Sequence, residues 1–291
     1  MKAVILAAGK GTRLTKLTKK YPKPMLKFNG KPLLEHTLRS VLKAGIRDIV
    51  LVVGYKGEEI SRYFSDGSSM GLNITYVEDN RLAGTATAIK AAEKVISSTF
   101  LMVYGDVFAE PQFLESIVAN HFAAKRKGES KIAASLGVVK VDDPFNHSAV
   151  LFVDGKVKEI WSKKTPWVDM GVMVLEPEVF DAISETPLLR GEYRILKSLS
   201  LMLEQGYEIF AYPSSRPWVQ IGDHEGIKSL IKANNYFLSK LGLKNYIEDS
   251  EVHDSKLVNS SIIRSEINGS KLDNCIVYEN SRIVSSNLKN C

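Results

Sequence analysis

Short runs of β-branched and aliphatic residues alternate with segments of helical periodicity along the first hundred residues of the chain. The runs predict strands at residues 2–6, 48–53, 74–77 and 99–103. Helices are predicted over residues 33–44 and 84–95, and apolar side chains of the first share one face: Leu34, Leu38, Val41 and Leu42. Strands that alternate with helices are typical of a parallel, doubly wound sheet. The pattern therefore predicts a Rossmann-like α/β fold.

Beyond residue 131 the predicted strands come with fewer helices, at residues 132–141, 150–153 and 172–175. This change predicts an antiparallel extension that makes the sheet mixed and covers its C-terminal edge, where substrates of such sheets usually bind. A long helix is predicted over residues 225–241, and Gly242 is a suitable residue to end it. We assign residues 1–242 to one α/β domain.

A five-residue repeat follows the last predicted helix. Its apolar positions are Val252, Leu257, Ile262, Ile267, Leu272 and Val277, then Ile283 and Leu288. Its small positions are Ser250, Ser255, Ser260, Ser265, Ser270 and Cys275, then Ser281, Ser286 and Cys291. This period is too short for helical hairpins and favours a β-helix of two or three coils, which we assign to residues 247–291. Its exposed edges should pack on the first domain or on another subunit.

The composition is that of a globular protein, with 44% hydrophobic and 25% charged residues in a chain of 291. The apolar run at residues 3–8 is too short for a signal peptide or a membrane span. We therefore expect a cytoplasmic protein without a membrane partner. The two cysteines occupy serine positions of the repeat, which favours small packing residues over a disulfide or a metal site.

Positive charge is concentrated at the start of the chain. The net charge is +6 at pH 7, and residues 1–34 hold nine Lys or Arg and no Asp or Glu. Such a stretch is commonly a solvated face or a nucleic-acid patch. Here it is interleaved with Gly and Pro and lacks the aromatic platforms of single-strand binders. We expect a phosphate ligand and no nucleic acid.

The first predicted strand runs directly into LAAGKGTRL, residues 6–14. Gly9 and Gly11 allow backbone N–H groups to form a concave anion site, because no Cβ obstructs them. Thr12 adds a hydroxyl, and Arg13 adds a guanidinium suited to phosphate oxygens. The loop matches neither the Walker pattern nor GxGxxG, which weighs against ordinary kinases and dehydrogenases. A glycine-rich turn without a ligand is the alternative.

A second motif, YPKPML at residues 21–26, holds Lys23 between two prolines. The prolines stiffen the backbone on either side of the lysine. A Pro-Lys-Pro segment by itself is usually a surface turn. Its position shortly after the basic glycine-rich loop favours a lysine held against a crowded anionic centre.

LAAGKGTRL followed by PKPML resembles the signature of the sugar-1-phosphate nucleotidyltransferases, the family of glucose-1-phosphate thymidylyltransferase and mannose-1-phosphate guanylyltransferase. The resemblance continues through LAGTATA at residues 82–88, YGD at 104–106 and PWVQIGDHEG at 217–226, and covers essentially the whole chain. It implies that residues 1–242 form a nucleotidyltransferase domain that joins an NTP to a sugar 1-phosphate with Mg²⁺ as cofactor, releasing pyrophosphate. The exposed edges of the short repeat favour a homo-oligomer formed through or near the β-helix.

The resemblance also implies roles for individual residues. The catalytic residues would be Arg13 and Lys23. The nucleotide-binding residues would be Leu6, Ala8, Gly9, Gly11, Thr12, Arg13, Asp79, Gly84 and Thr85. The sugar-phosphate site would contain Lys163, Asp169 and Gly171, and the metal ligands would be Asp106 and Gln220. Independently of the resemblance, a carboxylate beyond the end of a strand is where a metal would meet phosphate oxygens, although Asp after Gly also favours a turn.

The sequence departs from the family pattern on the side of the sugar and the metal. The family's Glu-Lys-Pro reads Ser162, Lys163 and Lys164 here, so the carboxylate that usually meets sugar hydroxyls is missing. An expected glycine is replaced within residues 146–148. The second metal ligand, usually aspartate, is Gln220, with Asp223 as a possible substitute; an amide is a weaker Mg²⁺ ligand than a carboxylate.

These departures leave two alternatives. One is an active enzyme with an unusual acceptor, such as an amino sugar phosphate or another phosphorylated alcohol. The other is a non-catalytic regulatory paralogue that binds nucleotide or NDP-sugar. Because Arg13, Lys23 and Asp106 are all present, we favour the enzyme.

The nucleotide base is left open. Uridylyl and thymidylyl members usually present Gln about five residues before the glycine of LAGT, where this chain has Asp79 beside Glu78. A carboxylate accepts the paired N–H donors of guanine well, which favours guanylyl transfer. The alternative, which we favour for these two residues, is that both are solvated acids of a turn.

Overall fold

A computed structural model describes residues 1–9, 21–128, 131–144, 147–189, 191–221, 227–278 and 281–291. The helices in these ranges are α1 Leu33–Lys43, α2 Gly57–Phe64, α3 Thr85–Ala91, α4 Pro111–Arg126, α5 Val179–Ser184, α6 Ile195–Glu204 and α7 Ile227–Lys240. Within the described ranges, no helix combines the length and apolar character needed to cross a membrane.

Thirteen of the described strands precede the C-terminal repeat. They are β1 Ala3–Ala7, β2 Lys27–Phe28, β3 Lys31–Pro32, β4 Asp48–Val53, β5 Asn73–Glu78, β6 Phe100–Tyr104, β7 Val107–Ala109, β8 Ile132–Lys140, β9 Val150–Val153, β10 Lys156–Ile160, β11 Trp167–Leu175, β12 Glu208–Pro213 and β13 Trp218–Gln220. Each of the strands predicted from the sequence is present, with ends that differ by a few residues.

The central sheet of the described chain has the strand order β5-β4-β1-β6-β11-β8-β12-β10-β9. Its first four strands are parallel, with Val4 opposite Val50 on β4 and Met102 on β6. Strand β11 then runs antiparallel to both β6 and β8, and β12 is parallel to β8. The predicted mixed α/β sheet is confirmed. The later strands extend this sheet sideways from β6, because β11 pairs edge to edge with it.

The sheet is covered by helices on both faces. Along β1 the side chains alternate between two apolar cores, with Val4 in one and Ala3 and Ile5 in the other. The first core is closed by α3, α5 and α6, and the second by α1, α2 and α4. Two covered faces explain why the parallel strands read as continuous apolar runs in the sequence.

Several helices differ from the sequence expectation, and α2, α5 and α6 were not predicted from it. The helix predicted over residues 84–95 is α3 followed by a separate 3₁₀ turn, Glu93–Val95. The tighter turn begins because the Ala92 N–H bonds to the Ile89 carbonyl instead of continuing the α-helical ladder. Helix α4 was not predicted, although Pro111 stands in its first turn, where proline is favoured.

The strands of the C-terminal repeat are β14 Tyr246–Glu248, β15 Glu251–His253, β16 Lys256–Val258, β17 Ser261–Ile263, β18 Glu266–Asn268, β19 Lys271–Asp273, β20 Ile276–Val277, β21 Arg282–Val284 and β22 Asn287–Lys289. They form three parallel sheets, β14-β17-β20, β15-β18-β21 and β16-β19-β22. Each strand therefore pairs with the third strand after it. This arrangement is consistent with the predicted β-helix.

The small residues of the repeat form ladders from one strand layer to the next. The Ser265 N–H donates to the Ser250 hydroxyl at 3.0 Å, and the same bond recurs from Ser270 to Ser255 at 2.9 Å. Cys275 is buried at a serine position and its sulfur lies 3.4 Å from the Asp273 carbonyl oxygen. Its sulfur is also in contact with that of Cys291, and both thiols are free. Cys275 thus packs as a small residue.

The repeat packs against the α/β domain. The Ser261 hydroxyl donates to the Asn234 side chain of α7 at 2.5 Å. Ile276 and Tyr278 join an apolar cluster with Phe28 and Phe237. The sequence had predicted that the repeat packs on the first domain or on another subunit, and these contacts are of the first kind. The boundary after residue 242 and the homo-oligomer stay predictions.

Candidate active site

The ends of β1 and β6 meet closely at the edge of the sheet. The Gly105 N–H donates to the Leu6 carbonyl at 2.8 Å. A Cβ at Gly105 would lie 2.7 Å from that oxygen, so the contact requires glycine. The contact fixes Asp106 beside the loop that leaves β1.

Lys23 and Asp106 form an ion pair at this edge. The Lys23 Nζ lies 2.6 Å from the Asp106 Oδ2, and the side chains are 10% and 21% exposed. Lys23 opens a 3₁₀ turn, Lys23–Met25, in which the Met25 N–H donates to the Pro22 carbonyl at 2.8 Å. The proline-flanked turn explains how a lysine stays directed inward at low exposure.

The glycine-rich loop is described only at its beginning. The Ala8 carbonyl accepts the Tyr55 N–H at 3.2 Å, which joins the loop to the end of β4. A Cβ at Gly9 would meet no described atom within 4 Å. Gly11, Thr12 and Arg13 lie outside the described residues, and their predicted contacts with the triphosphate stay predictions.

Gln220 is brought next to Asp106 by a pair of short strands. Strand β13 pairs antiparallel with β7, with Gln220 opposite Val107. The Ile221 N–H then donates to the Asp106 carbonyl at 3.0 Å. The two predicted metal ligands are thus neighbours across hydrogen-bonded strands. Asp223 lies outside the described residues.

Asp169 occupies an irregular part of β11. The pairing of β11 with β8 shifts register between Asp169 and Met173, and Gly171 has a φ of 75° there. The Asp169 Oδ1 accepts the Gly171 N–H at 3.0 Å. Burial raises the pKa of Asp169 to about 7, and hydrogen bonds from Gly171 and Tyr104 only partly offset this rise.

Tyr104 connects the two sides of the site. Loss of solvent around its phenol raises its pKa well above the ordinary value, and the charges of Asp169 and Asp106 add to that rise. A Cβ at Gly171 would lie 2.5 Å from the Tyr104 ring, so the bulge of β11 sits directly on this ring. Sequence reasoning missed Tyr104. Its position at the start of YGD, at the end of a buried strand, was the available signal.

Gly84 and Thr85 begin helix α3 under a segment from a distant part of the chain. A Cβ at Gly84 would lie 2.4 Å from the Tyr193 carbonyl oxygen. The Ala86 N–H donates to that oxygen at 2.9 Å, and the Thr85 hydroxyl accepts the Ile195 N–H at 3.0 Å. Glycine is therefore needed here for packing. The predicted contact of both residues with a base stays a prediction.

Asp79 has a defined structural environment. It is 4% exposed, and its Oδ1 accepts the N–H groups of Arg81 at 3.1 Å and Leu82 at 3.3 Å. Its Oδ2 accepts the Thr87 hydroxyl at 3.4 Å. The carboxylate thus holds the turn before α3, which is the turn role that the sequence had left open, though buried and not solvated.

The residues that follow β10 do not present a carboxylate. Ser162 is 2% exposed, and its hydroxyl accepts the Lys164 N–H at 3.3 Å. Lys163 is exposed in this turn, and no ion pair joins it to another described residue. Asn146 lies outside the described residues, whereas the Ser148 carbonyl accepts the Asp169 N–H at 3.0 Å. Of the predicted sugar-side residues, only Asp169 and Gly171 lie against Tyr104.

A family profile described as nucleotidyl transferase matches residues 2–240. The chain belongs to this family. It is 32% identical over 251 residues to the low-salt glycan biosynthesis nucleotidyltransferase of Haloferax volcanii, a match that spans 84% of this chain and 68% of that protein. It is also 32% identical to the UTP–glucose-1-phosphate uridylyltransferase of the same organism, over 72% of this chain and 87% of that protein.

Other nucleotidyl transferase family members are matched over less of their length. The mannose-1-phosphate guanyltransferase of Yarrowia lipolytica is 29% identical, over 84% of this chain and 66% of that protein. The chain spans 60% of the bifunctional protein GlmU of Methanocaldococcus jannaschii. Among solved structures, a UDP-glucose pyrophosphorylase complexed with UDP-glucose shares the fold, with a TM-score of 0.70 and 20% identity over 82% of this chain and 98% of that one.

Proposed function

We propose that this chain transfers a nucleotidyl group from an NTP to a sugar 1-phosphate and releases pyrophosphate. The observation that carries the proposal is the Lys23–Asp106 pair, held at the carboxyl ends of parallel strands beside the loop that leaves β1. Membership of the nucleotidyl transferase family supports it. So do the relatives named as uridylyl- and guanyltransferases of sugar 1-phosphates.

The reaction needs no nucleophile from the protein. A phosphate oxygen of the sugar 1-phosphate forms a new bond to the α-phosphorus of the NTP, and the bond from that phosphorus to the bridging oxygen of the β-phosphate breaks. The electron pair of the broken bond leaves with pyrophosphate. The protein therefore contributes by positioning the reactants and offsetting negative charge.

Lys23 is the described residue placed to offset that charge. Its ammonium is mostly buried, so its field is screened less than that of a surface lysine. Arg13 would add a second cation from the glycine-rich loop. Asp169 and Gly171 would orient the acceptor from the β11 side, where the carboxylate can accept a hydroxyl or an ammonium.

The donor groups near Asp106 fit a magnesium ion that keeps several waters. Asp106 offers one carboxylate, and Gln220 on the neighbouring strand offers an amide oxygen. No group of three His, Cys, Asp or Glu suited to a metal occurs among the described residues. Mg²⁺ needs only one or two carboxylates together with substrate phosphates, so these two residues would hold it. It would supply positive charge against phosphate oxygens.

A pyrophosphate-release screen tests the proposal directly. Each of four NTPs is mixed with a panel of sugar 1-phosphates that includes amino sugars, in the presence of Mg²⁺. Release that requires both substrates and is lost in Asp106→Asn is the expected result. If no pair releases pyrophosphate while the folded protein binds NTP or NDP-sugar, the chain is a regulatory paralogue.

We further propose that residues 247–291 form a short β-helix that serves stability and assembly. The repeating parallel pairs and the apolar contacts of Ile276 and Tyr278 with α7 support this role. A chain that ends at Gly242 should melt at a lower temperature or change its oligomeric size, with a smaller effect on pyrophosphate release. An unchanged melting temperature and size, measured by calorimetry and light scattering, would contradict it.

A further inference from the structure

The Lys23–Asp106 pair brings two opposite charges into direct contact. The ammonium lies 2.6 Å from one carboxylate oxygen, and the exposed fractions of the two side chains are 10% and 21%. At this exposure the attraction is screened less than in a surface ion pair. Lys23 is anchored by its 3₁₀ turn and Asp106 by the close contact of Gly105 with β1. The pair is therefore a defined feature of the free protein.

This pairing opposes the binding of a cation. A divalent ion at Asp106 needs a carboxylate oxygen, and the Oδ2 already accepts the Lys23 ammonium. The ammonium also repels a second cation at the same position. Gln220, the other donor on the neighbouring strand, carries no charge. The local charge of the pair is close to zero and gives little attraction for a free metal ion.

A triphosphate changes this balance because it offers Lys23 several anionic oxygens. We propose that the Lys23–Asp106 pair is a latch, which keeps divalent cations off Asp106 until a triphosphate draws Lys23 away. This inference rests on the proposed function, since it assigns the triphosphate to the same edge of the sheet. Triphosphate and cation then bind with positive coupling, and linkage makes the coupling equal in both directions.

The first test measures Mn²⁺ binding without nucleotide, with the free ion followed by electron paramagnetic resonance. Lys23→Met removes the ammonium but keeps a long side chain, and it should bind Mn²⁺ about tenfold more tightly than wild type, within the usual range of coupling between sites. Lys23→Arg and the control Lys31→Met should match wild type. Lys31 is an exposed lysine whose ammonium lies 3.5 Å from a Glu35 carboxylate oxygen and does not pair with Asp106. Asp106→Asn should abolish the tightened binding when combined with Lys23→Met.

The second test measures tripolyphosphate binding by calorimetry in the presence of a chelator. Asp106→Asn should bind it several-fold more tightly than wild type, because the Lys23 ammonium is then no longer paired with the Asp106 carboxylate. Unchanged or weaker Mn²⁺ binding by folded Lys23→Met would overturn the latch. If that variant fails to fold, Lys23→Gln takes its place with the same expectation.

Neither measurement depends on turnover. If wild type releases pyrophosphate and Lys23→Met binds Mn²⁺ no more tightly than wild type, the latch is refuted and the proposed function is supported. If both binding experiments give the expected results but no substrate pair releases pyrophosphate, the latch is supported and the proposed function is refuted.

Discussion

The two halves of the central sheet build their parts of the site differently. In the parallel half, backbone contacts join neighbouring strand ends, as the Gly105 N–H does to the Leu6 carbonyl at 2.8 Å and the Tyr55 N–H does to the Ala8 carbonyl at 3.2 Å. In the antiparallel half, β11 contributes through an irregular stretch in which Asp169 turns its carboxylate back to the Gly171 N–H. Topology places the charges of the first half, and local irregularity places those of the second.

This difference explains why one half is easier to read from the sequence. Carboxyl ends of parallel strands meet at one edge of a sheet whatever their exact sequence. A bulge depends on which residue is left out of register, and a small change in the chain moves it. The parallel half should therefore control catalytic charge, and the antiparallel half should tolerate variation in the acceptor.

The sharpest test of the parallel half is Lys23→Ala. Removal of a buried charge beside the reacting phosphates should lower kcat/KM for pyrophosphate release by about a hundredfold or more. The fold should persist, because Lys23 is held by its proline-flanked turn and its side chain belongs to none of the apolar clusters. Lys31→Ala is the matched control. Near-normal turnover of folded Lys23→Ala would show that the parallel half does not control the catalytic charge.

In the antiparallel half, Asp169 should make stability depend on pH. Its pKa of about 7 in the folded state lies above the ordinary 3.8, so the folded protein holds an extra proton between these values. The free energy of unfolding is therefore highest, as far as this group is concerned, below pH 3.8. It falls as the pH rises to about 7, because the folded state must then hold the ionised carboxylate at a buried position. Asp169→Asn should therefore be more stable than wild type at about pH 8, by an amount on the order of a few kcal/mol.

Denaturant unfolding of wild type and Asp169→Asn at about pH 5 and about pH 8 measures this difference. The gain from Asn should be larger at the higher pH. An equal gain at both values would mean that the Asp169 carboxylate is ionised at little cost, and the contrast between the two halves would be weaker.

Gln220→Asp tests the point where the two halves meet. Strand β13 pairs with β7 beside Asp106, and the Trp218 indole N–H donates to the Met170 carbonyl of β11 at 2.9 Å. A second carboxylate should strengthen Mg²⁺ dependence and raise turnover by several-fold, an effect of about 1 kcal/mol. The measurement is pyrophosphate release against Mg²⁺ concentration, with Gln220→Glu as the control for placement. An unchanged dependence of turnover on Mg²⁺ concentration would show that Gln220 is not a metal ligand.

The smallest expected effect on specificity is that of Asp79→Asn. The carboxylate already accepts two N–H groups and a hydroxyl within its own turn. We expect the ranking of the four NTPs to stay the same, while stability falls by about 1 kcal/mol from weaker hydrogen bonds. A changed preference for guanine would show instead that Asp79 reads the base.

Adding Glu at position 162 is a poor way to restore the missing family carboxylate. Ser162 is 2% exposed and its hydroxyl caps a turn, so a glutamate there would bury a charge without a partner. The departure at Ser162, for which the sequence leaves both an unusual acceptor and a non-catalytic paralogue open, is in the structure a change in how the turn is built.

The sequence by itself determined most strands of the central sheet, the order of the motifs and the period of the repeat. These features follow from local chemistry: the alternation of apolar residues, the stiffness of Pro22 and Pro24, and a small residue every five positions. The mixed sheet was predictable for the same reason. The break after α3 was not, because it depends on the bonding of Ala92 within one turn.

Only the tertiary structure decided which charges meet and which are desolvated. Lys23 reaches Asp106 because β1 and β6 are adjacent in the sheet, although the two residues are far apart in the chain. Asp169 has a raised pKa because its burial at the bulge of β11 outweighs the hydrogen bonds from Gly171 and Tyr104. Glu176, the residue directly after this strand, has a pKa lowered to about 2 because His121, Lys125 and Thr99 donate to it and outweigh its burial. Burial and partner groups come from elements distant in sequence, so no local pattern separates these two acids.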